Sequence, residues 1–297
     1  MNRRERGFLL LTSHLGDPER KVLTVAQLRT LALRMRDMAY PAEERDLNES
    51  DLLRLGCDRE QSKRILSLLE QEDLLDAYLG KAAAWNCVPI TRVSDHYPPI
   101  LRQRLGLDSP GCLWARGDVE ILRKPAISLV GCRELLEPNR EFAEAVGYQA
   151  AEQGLTLVSG NARGADRTAQ ESCLRHGGPA IIVVADDLAK QPERDGVLYL
   201  SEEDFDLPFS AQRALSRNRV IHALGVKTLV AQCSLETGGT WDGTTKNLRF
   251  GWSPVFCFDD GSAAAAQLHQ MGAALVDIPG LSDLSALTGE HPNLFDQ

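Results

Sequence analysis

The sequence predicts an α/β protein in two parts: a small all-α segment over residues 1–84, then a parallel sheet with helices on both faces over 85–297. Three observations predict it. From residue 121 onward, short apolar runs alternate with longer stretches of helical periodicity, the pattern of a parallel sheet covered on both faces. Residues 1–84 carry helical spacing and are strand-poor. The length of 297 residues suits about two domains of ordinary size.

In the first part, Leu28, Leu31, Met35 and Met38 fall at helical spacing, and Leu52, Leu53, Leu55, Ile65, Leu66, Leu68 and Leu69 form a second set. Ser50 or Asp51 suits the N-cap of that second set, and Leu55-Gly56-Cys57-Asp58 a tight turn between two short helices. Such a SAM-like unit serves either as a DNA contact or as a packing module. The 13 basic against 15 acidic residues over 1–80 do not favour DNA.

Residues 85–118 hold four prolines and four basic residues. They read as a lead-in strand, a turn at Tyr97-Pro98-Pro99, a short helix and a strand ending at Gly117. Strands follow over 126–130, 155–158, 180–185, 197–200, 228–232 and 255–258. Helices lie between and after them over 137–153, 164–176, 210–224, about 241–250 and 262–271. Pro138 sits in the first turn of the helix over 137–153 and Gly154 stops it. Together they make an extended Rossmann-like parallel sheet.

Composition narrows the classes. Hydrophobic residues make up 43% and charged residues 25%, as in a folded globular chain. The net charge of -9 excludes a basic coat, although a local basic groove is compatible with it. Seven widely spaced cysteines without a C-x-x-C pair fit reduced thiols and neither a disulfide framework nor a zinc site. The apolar run after the basic start is four residues long, which supports neither a signal peptide nor a membrane span, so a cytoplasmic protein is expected.

In a doubly wound sheet, ligands bind at the carboxyl ends of the strands. Three loops there suit anions: Gly131-Cys132-Arg133, then Ser159-Gly160-Asn161-Ala162-Arg163-Gly164-Ala165-Asp166, then Thr237-Gly238-Gly239-Thr240. Glycine admits close backbone approach, a helix N-terminus offers free N–H groups, and arginine forks onto phosphate oxygens. The plain alternative is that each glycine permits a tight turn and Asp166 serves a helix start. No loop matches a P-loop or a dinucleotide fingerprint.

A fourth cluster, Arg213, Arg217, Asn218 and Arg219, lies in the helix over 210–224. Over 211–250 six basic residues face two acidic ones, a local charge of +4. Upstream, the acidic run Ser201-Glu202-Glu203-Asp204-Phe205-Asp206 reads as an exposed loop. The six histidines, 14, 96, 176, 222, 269 and 291, show no ligand spacing, and no nucleophile–histidine signature occurs. No catalytic residue, metal or cofactor is expected.

These residues resemble the DprA/Smf family of DNA-processing proteins. Val130-Gly131-Cys132-Arg133 is similar to the family's V-G-[ST]-R, and Ser159 to Asp166 to its S-G-x-A-x-G-[IA]-D. Arg217-Asn218-Arg219-Val220-Ile221 is similar to F-x-x-R-N-R-[IV]-I, and the proline-rich stretch from Tyr97 to Gly117 echoes the family's upstream pattern. The resemblance implies an extended Rossmann domain that binds single-stranded DNA in a basic pocket, forms a homodimer and helps load RecA recombinase during DNA uptake and recombination. It implies Arg133, Arg163, Arg217 and Arg219 on the phosphates, with backbone of Gly131, Ser159, Gly160 and Gly164 framing the pocket. Asp166, Asn218 and residues 237–240 complete the candidate set.

Three departures stand out. Gln232 replaces an acidic residue of the family's V-V-E-A, and Thr237-Gly238-Gly239-Thr240 replaces S-G-[ST]-x-x-T-A. The 17 residues after Gly280 leave no room for the C-terminal winged helix of many members. The loop at 237–240 also resembles nucleotide loops of the wider superfamily. It motivates an alternative, a nucleotide sensor or a LOG-type nucleotide phosphoribohydrolase with Asp242 or Glu236 as acid–base group. A third reading makes residues 1–84 a recruiting module and the sheet a scaffold.

Overall fold

A computed structural model describes residues 1–17, 19–37 and 47–289. Met38 and His291 lie outside the described residues. Five helices come first: α1 (Arg3–Thr12), α2 (Val25–Asp37), α3 (Glu49–Arg54), α4 (Arg59–Leu69) and α5 (Glu72–Ala84). Three start on reciprocal capping boxes, Asn2 with Glu5, Asn48 with Asp51, and Asp58 with Gln61. The cap of α3 is therefore Asn48 and not Ser50 or Asp51; Asp51 occupies the third helical position, from which its carboxylate reaches back to the cap. The turn between α3 and α4 stands where the sequence puts it, with Gly56 at φ +77°.

The sheet elements follow: β1 (Cys87–Thr91), α6 (Pro99–Leu105), β2 (Cys112–Gly117), β3 (Ala126–Val130), α7 (Glu137–Glu152), β4 (Thr156–Ser159), α8 (Ala165–Arg175), β5 (Ala180–Val183) and β6 (Val197–Ser201). Then come α9 (Ala211–Ser216), α10 (Asn218–Leu224), β7 (Thr228–Val230), α11 (Gly238–Phe250), β8 (Val255–Phe258), α12 (Ala263–Gln270) and β9 (Ala274–Val276). Strand order is β1-β2-β6-β5-β4-β3-β7-β8-β9. Strand β2 is antiparallel to both β1 and β6, and all other neighbours are parallel. The order reverses between β3 and β7, which fixes where a ligand crevice opens.

Three details depart from the sequence reading. The helix expected over 210–224 breaks at Arg217 into α9 and α10. Helix α11 starts at Gly238, inside the loop, and not near Trp241. Strand β9, only three residues long after an alanine-rich helix, gives too short an apolar signal to read.

Alternation along the strands sorts the core into faces. Leu113, Val158, Ile181, Val183, Leu198, Leu200, Val230 and Cys257 point to one face. Ile127, Leu129, Leu157, Leu229 and Phe256 point to the other, under α7 and α8. On that second side, the end of the sheet formed by β2, β6 and β5 offers Trp114, Tyr199 and Ile182, and these pack against Leu9, Leu10, Leu75 and Tyr78 of α1 and α5. The first helices thus close the second face where the later helices do not reach.

The acidic run after β6 is a tie between these layers and not an exposed loop. Asp204 and Phe205 are buried. The Asp204 carboxylate accepts from Ser13 Oγ at 2.5 Å, and Asp206 accepts from Tyr78 OH at 2.6 Å and pairs with Lys81 at 2.7 Å. Burial raises the Asp204 carboxyl above its usual range, with Ser13 opposing. Among the described residues no helix is long and apolar enough to cross a membrane, and no group of three or more His, Cys, Asp or Glu is placed to hold a metal ion. All seven cysteines are free.

Candidate nucleic-acid interface

A cleft of about 950 Å³ opens at the carboxyl ends of β3 and β7, where the strand order reverses. Its walls are the loop after β3, the helix pair α9–α10 and the first turn of α11, with Ala162 and Asp166 below. Of the candidate residues, Gly131, Arg133, Asp166, Arg217, Asn218, Thr237, Gly238, Gly239 and Thr240 line it, whereas Ser159, Gly160, Arg163, Gly164 and Arg219 do not.

The loops after β3 and β4 are locked to each other. Ala165 N donates to Cys132 O at 3.1 Å, and Cys132 N to Gln232 O at 3.0 Å. Gly164 sits at φ +85°, and a Cβ there would stand 2.4 Å from the carbonyl oxygens of both Cys132 and Arg133. Its glycine serves loop-on-loop packing and does not frame the cleft. Arg133 is held at the rim by this backbone, exposed and without a hydrogen bond or ion pair among the described residues.

The loop after β4 supplies its own anion. The buried Asp166 carboxylate accepts from Ala162 N at 3.2 Å and from the Gly160 backbone. Burial pushes its pKa up to about 6, against the pull of Arg217 and the backbone donors. Ser159 and Gly160 are bound from behind by Gln170 Nε2, at 2.6 Å to the hydroxyl and 2.5 Å to the carbonyl. Arg163, with its side chain 72% exposed, turns outward to Glu134 at 3.2 Å.

Arg217 stands at the break between α9 and α10 and is only 8% exposed. Its guanidinium lies where a Cβ on Gly160 would be, 2.0 Å from Nη1, so the absence of a side chain at 160 makes its berth. Its Nε is buried without a hydrogen-bond partner, and the side chain has no ion pair among the described residues. Burial lowers its pKa, and Asp166 and Glu202 oppose that shift; a guanidinium stays charged nonetheless. Arg219 faces away, bonding Asp108 O and Glu202 Oε2, each at 2.5 Å. Two residues on a helix differ by about 200° around the axis, which separates the pair. Arg213 is structural, tied to the carbonyls of Ala185, Leu207 and Pro208.

Lining the same cleft, α11 begins without a side-chain cap: Thr237 is the N-cap residue and its hydroxyl bonds no backbone N–H. The first-turn N–H groups of an uncapped helix carry partial positive charge toward an anion. Asn218 Nδ2 donates to Gly239 O at 3.1 Å and ties α10 to that turn.

Several lining residues were not among the sequence's candidate site residues. His222, one helical turn after Asn218, is held neutral by burial, its pKa down to about 3, and meets Asn247 Nδ2 at 3.2 Å. The i,i+4 spacing from Asn218 is the signal that places it on the same helix face. Gln232 Oε1 accepts from Leu136 N at 3.0 Å, at the start of α7. Leu136, Phe209 and Leu215 form an exposed apolar rim, which no phosphate pattern would reveal.

Comparison with known proteins gives one family and several relatives. The family model described as DNA recombination-mediator protein A matches residues 89–283. Protein Smf of Escherichia coli is 27% identical over 211 residues, which are 67% of this chain and 55% of that protein. DNA processing protein DprA of Streptococcus pneumoniae is 30% identical over 146 residues, 44% of this chain and 50% of that protein. The chain therefore spans about half the length of these relatives. The X-ray structure of DprA from Streptococcus pneumoniae superposes with TM-score 0.66 at 24% identity, covering 86% of this chain and 95% of that one. A structure of DNA processing protein A from Helicobacter pylori, solved for its single-stranded DNA binding mode, gives TM-score 0.53 at 21% identity, covering 66% and 92%.

Proposed function

Because the chain belongs to the DNA recombination-mediator protein A family, we propose that it acts in DNA processing and recombination by holding single-stranded DNA in the cleft between β3 and β7. One observation carries the reading. Arg217 is a buried cation with no hydrogen bond or ion pair among the described residues, and it lines the same open cleft as an uncapped helix N-terminus. A phosphate there would supply the missing acceptor and meet the free N–H groups of α11 at once. Arg133 at the rim extends the positive path outward.

The family's description as a recombination mediator supports a RecA-type recombinase as the protein partner, and a homodimer belongs to the same reading. Sequence-tolerant binding follows from phosphate contacts of this kind. The test is a titration of labelled oligo-dT at two salt concentrations, competed with mononucleotides. Expected is salt-dependent binding of the oligomer with little competition. Tight mononucleotide binding without oligomer binding would replace this reading with a nucleotide sensor, and release of free base would make it a phosphoribohydrolase.

Asp166 gives the site a pH dependence. Above its pKa of about 6 the carboxylate offsets Arg217; below it the carboxyl is neutral and the cleft gains net positive charge. Oligo-dT affinity should therefore rise by roughly tenfold between pH 8 and pH 5, as expected for a nearby unit charge at intermediate dielectric. In Asp166→Asn the affinity at pH 8 should match the acid value and the profile should flatten. A wild-type profile as flat as the variant's would remove Asp166 from the site. The raised pKa also means that the carboxyl's contribution to stability is present at acid pH and lost as pH rises through about 6.

A further inference from the structure

The cleft carries one thiol. Cys132 follows Gly131 in the loop after β3, at the position where the resembling family has serine or threonine, and its Sγ lies 3.8 Å from Ser234 Oγ in the loop after β7. It is the one cysteine of the seven that is not buried. Burial pushes the thiols of Cys87 and Cys173 up to about 11 and that of the neighbouring Cys233 up to about 12, which leaves them poor nucleophiles at neutral pH.

The cleft around Cys132 holds two guanidinium groups, Arg133 and Arg217, and two carboxylates, Glu134 and Asp166. Arg133 is adjacent and unpaired among the described residues, and Arg217, 8% exposed, lines the same cleft with its Nε lacking a partner. The uncapped start of α11 lines the same cleft. Exchange with a disulfide requires access to the sulfur, which Cys132 alone of the seven provides. The unpartnered guanidinium of Arg217 in the same cleft can donate to a carboxylate carried by such a reagent.

We propose that Cys132 is a modification site through which a small anionic disulfide closes the DNA cleft reversibly. The proposal rests on the DNA-binding reading of that cleft. In the step, the Cys132 proton leaves to solvent and Sγ attacks one sulfur of the disulfide. The reagent's S–S bond breaks, a new S–S bond forms to Sγ, and the other half departs as a thiolate. The cysteine sulfur is oxidised and the departing half is reduced. The adduct's carboxylate then occupies the space between Arg133, Arg217 and the α11 N-terminus that a DNA phosphate needs. A dithiol reverses it by the same exchange.

The test uses the full chain, 5,5′-dithiobis(2-nitrobenzoate) as the anionic disulfide, and labelled oligo-dT. Expected is one fast-reacting thiol, mapped to Cys132 by peptide mass spectrometry, slowed by bound oligo-dT. Modification should lower oligo-dT affinity at least tenfold, and dithiothreitol should restore it. In Cys132→Ser the ratio of affinities with and without reagent should fall to one, whatever the starting affinity. Modification of Cys132 with unchanged affinity, no fast thiol at Cys132, or sensitivity that persists in Cys132→Ser would each overturn the proposal while leaving the cleft reading standing. Failure of the unmodified, reduced chain to bind oligo-dT would overturn the cleft reading and this proposal with it.

Discussion

Arg217→Met should remove most oligo-dT binding while leaving the fold as stable as before, or more so. The two effects have opposite signs because the guanidinium is buried without a partner among the described residues. In the free protein its desolvation is only partly offset by the Coulomb pull of Asp166 and Glu202. A methionine of similar length fills the berth beside Gly160 without that cost. In the complex the guanidinium would bond a phosphate, and truncating one member of a desolvated charge pair costs about 2–5 kcal/mol, or about 30-fold to several thousand-fold in affinity. Fluorescence anisotropy and a thermal melt read the two effects separately. A melting temperature that falls together with affinity would make Arg217 a structural residue and withdraw it from the site.

Gly164→Ala should be the most damaging single methyl in the region. The new Cβ would meet two carbonyl oxygens at 2.4 Å and the Arg133 carbonyl carbon at 2.6 Å, on a residue at φ +85° and ψ -126°. Backbone strain of about 1–3 kcal/mol adds to overpacking of about 1–3 kcal/mol, because both partners are main chain in locked loops. For a protein of this size roughly 3 kcal/mol or more lowers the melting temperature by about 10 °C. Gly160→Ala provides the contrast. There the nearest atoms belong to the end of the Arg217 side chain, so the variant should keep its fold and lose binding. Equal unfolding midpoints for Gly164→Ala and the wild type would refute the loop-locking account.

The two variants show what the sequence could and could not convey. Strands β3 to β8 and the helices between them were legible because apolar runs and helical periods are local signals, and the three loops because glycine and arginine mark the strand ends. Which way an arginine points is not local. Arg217 and Arg219 stand two apart in one motif, yet one faces the cleft and the other Asp108. Asp166 reads either as a phosphate-loop residue or as a helix-start residue; it stands in the first turn of α8, lines the cleft and accepts from the loop's own N–H groups. The acidic run over 202–206 read as solvent-facing because its partners Ser13, Tyr78 and Lys81 lie more than a hundred residues upstream. The rim of Leu136, Phe209 and Leu215 comes from separate segments that only the fold joins.

The packing of α1 and α5 on the β2–β6–β5 end of the sheet bears on how such a protein can be cut or rearranged. Trp114, Tyr199 and Ile182 are sealed by Leu9, Leu10, Leu75 and Tyr78, Asp204 binds Ser13 at the C-cap of α1, and Asp206 binds Tyr78 of α5. A fragment starting at β1 would expose that apolar stripe and strand two carboxylates without their donors. Helices α1 and α5 therefore behave as half of a lid whose other half is α7 and α8. A shortened or rearranged chain lacking them would need another cover for the same stripe, Trp114, Tyr199 and Ile182.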